Sequence, residues 1–155
     1  MKRILIVITL SLAALLMPQR AEAQTKQFEK FMQAYSGVEG ITVMDISSTM
    51  LRLSTLGRAN DKLIDQIKRI IVIKNDNTSF YIAGEFEKVL REGEYEVITS
   101  IVEGSQQTKV CIKSESRGEN ELVTFVNDKD TSVIVCIVGK LSIEQLVQVA
   151  TSIGV

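Results

Sequence analysis

The sequence predicts an α+β protein: one mostly antiparallel sheet of about six strands with helices packed on one face. Three observations lead there. Apolar residues first recur at helical spacing between isolated strand-like runs; from Tyr95 four strand-like stretches follow one another across short polar turns; a last helical stripe closes the chain. The predicted order is α-β-α-α-β-α-β-β-β-β-α, and the four consecutive strands form a C-terminal meander.

The first helix runs from about Thr25 to Ser36, with Phe28, Phe31, Met32 and Tyr35 on one face, Thr25 as N-cap and Gly37 as stop. Its aromatic stripe is expected to pack into the core. Gly40 to Ser47 alternates as a strand does. Ser47 or Ser48 caps a short helix holding Met50, Leu51, Leu53 and Leu56, which Gly57 ends, and Asn60 caps another carrying Leu63, Ile64 and Ile67. Arg69 to Lys74 is β-branched on both faces and reads as an internal strand, closed by the Asn75-Asp76-Asn77 turn. Thr78 or Ser79 opens a helix with Phe80, Ala83, Phe86, Val89 and Leu90 inward and Glu87 and Arg91 paired outside.

The meander strands are Tyr95 to Glu103, Thr108 to Ser114, Glu121 to Val126 and Thr131 to Val138. In the second, Val110 and Ile112 alternate with Lys109 and Lys113, the pattern of a strand with one wet face. Val133 to Val138 is apolar throughout, so the last strand is expected to be the most buried. Ser142 and Gln145 form a capping box ahead of a final helix with Leu146, Val147, Ala150 and Ile153 as its stripe.

The first 23 residues read differently. Lys2 and Arg3 precede an apolar run from Ile4 to Met17, and Ala21-Glu22-Ala23 before Gln24 is a small-x-small cleavage site, the pattern of a secretory signal peptide cut between Ala23 and Gln24. The run falls short of the roughly 20 residues that cross a bilayer. Residues 1–23 are therefore an export signal, and residues 24–155 form a single α+β domain, with no repeat, low-complexity tract or long linker to mark a second one. No Cys follows Ala23, so a lipoprotein anchor is not expected. The expected product is soluble, in the periplasm or secreted, with no membrane span in the mature chain.

Charge and composition exclude several functions. The whole chain carries a net charge of −1, and removal of Lys2, Arg3, Arg20 and Glu22 leaves the domain at about −3, no footprint for nucleic acid. There is no His, hence no Ser-His-Asp or Cys-His nucleophile and no His-ligated zinc. No GxSxG elbow, GxGxxG loop or P-loop occurs. Asn127-Asp128-Lys129-Asp130 offers clustered oxygens without calcium-loop spacing, and reads as a hairpin turn. Glu85, Glu87, Glu92, Glu94 and Glu96 read as a solvated face rather than as a facing carboxylate pair. No catalytic residue, metal ligand or cofactor site is assigned.

Cys111 and Cys136 lie in strand-like runs separated by another apparent strand. Pairing of these strands in order would place the sulfurs about 10 Å apart, beyond bonding reach. An export signal permits a disulfide, so two buried thiols and one bridge both remain open at this level.

Several stretches together carry a resemblance: Phe28-Glu29-Lys30-Phe31 leading into Glu39-Gly40-Ile41-Thr42-Val43; Tyr95-Glu96-Val97-Ile98 before the Lys109-Val110-Cys111-Ile112-Lys113 strand; Glu121 to Val126; and Val133 to Leu141 running into the last helix. From about Phe28 to Ala150 the chain resembles the exported Bacteroidetes family called domain of unknown function 4252. The resemblance implies a bacterial envelope protein and transfers no catalytic motif. The expected function is a non-enzymatic module that binds another envelope protein. A carrier of a small apolar ligand, lined by Phe28, Phe31, Phe80 and Phe86 between sheet and helices, is the alternative.

Overall fold

The computed structural model describes residues 26–54, 62–77, 81–114 and 118–152. The export signal with Ala23 and Gln24, the Thr25, Asn60 and Thr78 caps, and Leu56, Gly57, Ser79, Phe80 and Ile153 lie outside these residues. The elements are α1 (Lys26–Tyr35), β1 (Ile41–Ser47), α2 (Ser48–Ser54), a 3-10 turn (Ile64–Gln66), β2 (Ile67–Asn75), α3 (Ile82–Glu92), β3 (Glu96–Glu103), β4 (Gln106–Ser114), β5 (Asn120–Asn127), β6 (Ser132–Gly139) and α4 (Ile143–Ser152). The class is α+β, as the sequence predicts.

The six strands form one sheet in the order β1-β2-β6-β5-β4-β3, antiparallel at every pairing. Strands β3 to β6 are the expected meander. Strand β2 docks on the free side of β6, which places the most apolar strand inside the sheet. Strand β2 begins at Ile67, where the sequence pattern suggested helix, and among the described residues of that stretch the helical part is the 3-10 turn Ile64–Gln66. Ile67 is buried opposite Gly139 of β6, and a Cβ on Gly139 would meet the Gln66 carbonyl at 2.6 Å. Ladder pairing at a close backbone approach thus overrides the local helical spacing.

The helices cover both faces of the sheet, a correction to the expectation of one. On the first face Phe28, Phe31 and Tyr35 of α1 and Ile82, Ala83, Phe86, Val89 and Leu90 of α3 pack on Ile71, Ile73, Cys111, Val123, Phe125, Ile134, Cys136 and Val138. On the second, Leu146, Val149 and Ala150 of α4, with Leu141, pack on Ile67, Ile70, Ile112, Leu122, Val135 and Ile137. The physical cause is the unbroken apolar run in β6. Alternate residues point to opposite faces, so Ile134, Cys136 and Val138 need cover on one side and Val135 and Ile137 on the other.

Local chemistry explains several element ends. The Ser142 backbone N–H donates to Gln145 Oε1 at 2.9 Å and the Gln145 N–H to Ser142 Oγ at 3.3 Å, completing the capping box. Val147 of the expected α4 stripe is exposed, and Val149 takes the inward place. In α2, Met50 and Leu53 are also exposed, while Leu51 packs on the second cluster. Helix α3 ends in a Schellman motif: the Tyr95 N–H donates to the Leu90 carbonyl at 3.0 Å and the Glu94 N–H to the Arg91 carbonyl at 3.2 Å. The left-handed residue is Glu94, with φ +58°. Gly93 precedes it because a Cβ there would lie 2.5 Å from the Tyr95 ring.

Arg69 ties α1 to the sheet. Its guanidinium forks onto Asp45 of β1, with Nε at 2.8 Å and Nη2 at 2.7 Å, and also reaches Glu29 of α1. The Arg69 hydrogen bonds hold the Asp45 carboxyl below the usual carboxylate range against a smaller opposing effect of burial.

Candidate protein-binding edge

Strand β3 differs from the other five. It ends the sheet, so one side of its backbone has no ladder partner among the described residues. All of its eight residues are exposed, and Val97, Ile98, Ile101 and Val102 remain 50%, 41%, 48% and 68% accessible. The opposite edge, β1, is better protected: Ile41 is buried, and Val43 and Ile46 pack partly against the two clusters. An exposed strand edge offers N–H and C=O groups to an extended segment, and its side chains supply contacts on both faces.

The register assigns those contacts. Val97, Ser100 and Val102 stand opposite Cys111, Lys109 and Gln107 of β4, on the face that carries α1 and α3. Glu96, Thr99, Ile101 and Glu103 stand opposite Ile112, Val110, Thr108 and Gln106, on the α4 face. Ile98 is the extra residue of a bulge between Val97 and Thr99. The β3–β4 hairpin turns at Gly104, whose φ of +61° suits the first central position of a type II′ turn. Ser105 beside it donates to Asp128 at 2.6 Å, and this hydroxyl, followed by the Lys129 backbone N–H, holds the Asp128 carboxyl below the usual range.

At the other end of the strand lies a buried polar group that sequence patterning does not reveal. Glu121 of β5 is fully buried and accepts a hydrogen bond from the Tyr95 hydroxyl. Lys113, directly across from Glu121 in β4, holds its ammonium 5.7 Å from the centre of the Tyr95 ring. These three side chains fix the point where β3 leaves α3.

The groups singled out in the sequence are placed as follows. Cys111 and Cys136 are both buried and unbridged. Lys109 reaches across Cys111's face to Glu87 of α3, so the expected wet face of β4 is partly roofed; burial is the main cause that pushes the Cys111 thiol up to about 11. Glu87 thus pairs with Lys109 rather than Arg91, and Lys88 faces Glu92 at 3.7 Å. Glu85 accepts from the Tyr35 hydroxyl at 2.7 Å; burial first and this carboxylate second push the Tyr35 hydroxyl up to about 12. Glu94 and Glu96 are exposed near the start of β3. Glu85, Glu92 and Glu87 thus each meet a different partner, Tyr35, Lys88 and Lys109, while Glu94 and Glu96 stand exposed.

The aromatic residues fill the first-face core. Phe86 lies 6.0 Å from Phe28, 5.3 Å from Phe31 and 5.2 Å from Phe125, between ring centres. An open groove of about 450 Å³ lies on the outer side of α1 and α3, where Phe31 and Val89 are flanked by Lys30, Glu85, Lys88 and Glu92. It lies outside the helices rather than between helices and sheet. The Asn75 turn and the Asn127–Asp130 turn come together around a depression of about 40 Å³ beside Tyr81. Asn75 Oδ1 accepts from the Asn77 N–H at 3.0 Å, and the Asp128 N–H donates to the Thr131 carbonyl at 2.8 Å, so both act as turns. Among the described residues no group of three or more His, Cys, Asp or Glu side chains is placed to hold a metal ion.

Fold and edge together define a six-stranded antiparallel α+β domain with one strand presented to solvent. Residues 21–149 match the family model described as Domain of unknown function (DUF4252), and the chain belongs to that family. No curated protein gives a significant match.

Proposed function

We propose that this protein is an exported, non-enzymatic module of the bacterial envelope that binds another protein through the β3 edge. The observation that carries this reading is the eight-residue edge strand with four large apolar side chains open to solvent. The lack of His and the engagement of Glu85, Glu87 and Glu92 by Tyr35, Lys109 and Lys88 support a binding role over catalysis. The Met1 to Ala23 pattern supports export. No helix among the described residues is long and apolar enough to cross a membrane.

Photocrosslinking in the native cell tests the reading. A photoreactive residue at Val102 is expected to yield a discrete protein adduct that Ile101→Lys abolishes, whereas the same probe at Thr42, exposed on β1, yields none. Equal labelling from both positions would overturn the assignment to β3. N-terminal sequencing of the exported protein is expected to begin at Gln24, and an intact Met1 would remove the export assignment.

A further inference from the structure

The charge at the ends of β3 narrows the partner. Glu96 and Glu103 bound the apolar stretch, with Glu94 just before it, and among the described residues none of the three makes an ion pair. A second copy of the strand fits poorly. In an antiparallel pairing about a two-fold axis through Ser100, Glu103 of each copy approaches Glu96 of the other on the same face, so like charges meet at both ends. The bulge at Ile98 further interrupts a ladder between copies. A flanking carboxylate at each end and a bulge are devices that keep edges from pairing with themselves, yet the four apolar side chains between them stay uncovered.

We infer that the occupant of this edge is an extended segment of a different protein, apolar over about six residues and carrying Lys or Arg at both ends. Added beside β3, such a strand covers Val97 and Val102 on one face and Ile101 on the other. Its terminal cations stand beside Glu96 and Glu103, about 23 Å apart at the rise of an extended chain. Because Glu bounds both ends, the charge match holds whether the segment runs parallel or antiparallel. The inference rests on β3 being the binding edge and adds the chemistry of the partner.

The test uses two synthetic peptides against the isotope-labelled exported protein at low salt: six alternating Val and Thr residues between pairs of Lys, and the same peptide with Glu in place of Lys. Amide shifts confined to β3 and its turn are expected, with the Lys peptide binding at least tenfold tighter and the gap narrowing as salt rises. The Glu96→Lys/Glu103→Lys variant, altered only at exposed positions, should prefer the Glu peptide. Equal affinity of the two peptides, shifts away from β3, or association of two copies through β3 would overturn the inference. A natural partner captured from Val102 without cationic flanks would also overturn it while leaving the β3 edge as the binding site; no capture from Val102 would remove both.

Discussion

Cys111 and Cys136 lie in one row across the sheet, on the same face, with Val123 of β5 between them. Two strand spacings of about 4.8 Å separate their backbones by about 10 Å, well beyond the Cα separation that a disulfide spans. Both thiols are buried among apolar side chains. Protein held under oxidising conditions is expected to show two titratable thiols on unfolding and to react slowly with thiol reagents when folded. A bridged peptide in a non-reducing digest would contradict the strand order.

The same thiol sets an alkaline limit on stability. Burial raises the Cys111 thiol from 9.0 to about 11, so the folded state holds its proton more tightly than the unfolded chain. The contribution is fully present below about pH 9 and is lost as pH rises through about 11, amounting to roughly 2 to 3 kcal/mol by linkage. Tyr35 adds a loss in the same direction above pH 10. Denaturant midpoints taken from pH 8 to 10 should fall less steeply for Cys111→Ala than for the parent protein. Parallel slopes would remove Cys111 as the cause.

Arg69 should matter at the acid end. Asp45 is held ionised below its ordinary range, so its contribution is present above pH 4 and disappears as pH falls through its lowered value. The pair is partly exposed, which screens it, and Asp45→Asn is expected to cost about 1 kcal/mol at neutral pH. Urea melts should show that difference shrinking as pH falls below about 4. A pH-independent difference would assign the loss to packing instead.

Phe86 is the packing centre of the first face. Its truncation removes contacts with Phe28, Phe31 and Phe125 at once, and Phe86→Ala should destabilise by about 3 to 5 kcal/mol, with Phe86→Leu much milder. Thermal or chemical denaturation reads both. A loss under 1 kcal/mol for Phe86→Ala would mean that the first-face core collapses around the gap.

Glu94 is a non-glycine residue in the left-handed position that ends α3. Glu94→Gly should stabilise by about 1 kcal/mol, whereas Gly93→Ala, which drives a Cβ into the Tyr95 ring, should destabilise. Denaturation midpoints moving in opposite directions verify the motif. A destabilised Glu94→Gly variant would show that the Glu94 side chain contributes more than its backbone strain costs.

Local rules carried much of the fold. The Phe28, Phe31, Tyr35 stripe, the Ser142–Gln145 box and the β3-to-β6 meander all depend on spacings within a dozen residues, and each is legible from the chain. The helix written over Leu63 to Ile67 fails because Ile67 finds Gly139 of β6 across the sheet, a partner that no local window contains. The candidate edge was less legible. Val97-Ile98 and Ile101-Val102 are apolar pairs that break the alternation of a half-buried strand, a signal that both faces of β3 carry apolar side chains, but the same pattern suits a fully buried strand.

By itself the sequence determined the class, the meander and the spacing of two thiols on non-adjacent strands, because periodicity and turn chemistry are properties of neighbouring residues. Only the tertiary structure decided that β2 docks on β6, that helices cover both faces, and that β3 is left at the rim. Those outcomes depend on which distant strands pair and which faces then find cover. The same apolar residues are core in β6 and an open edge in β3 for that reason.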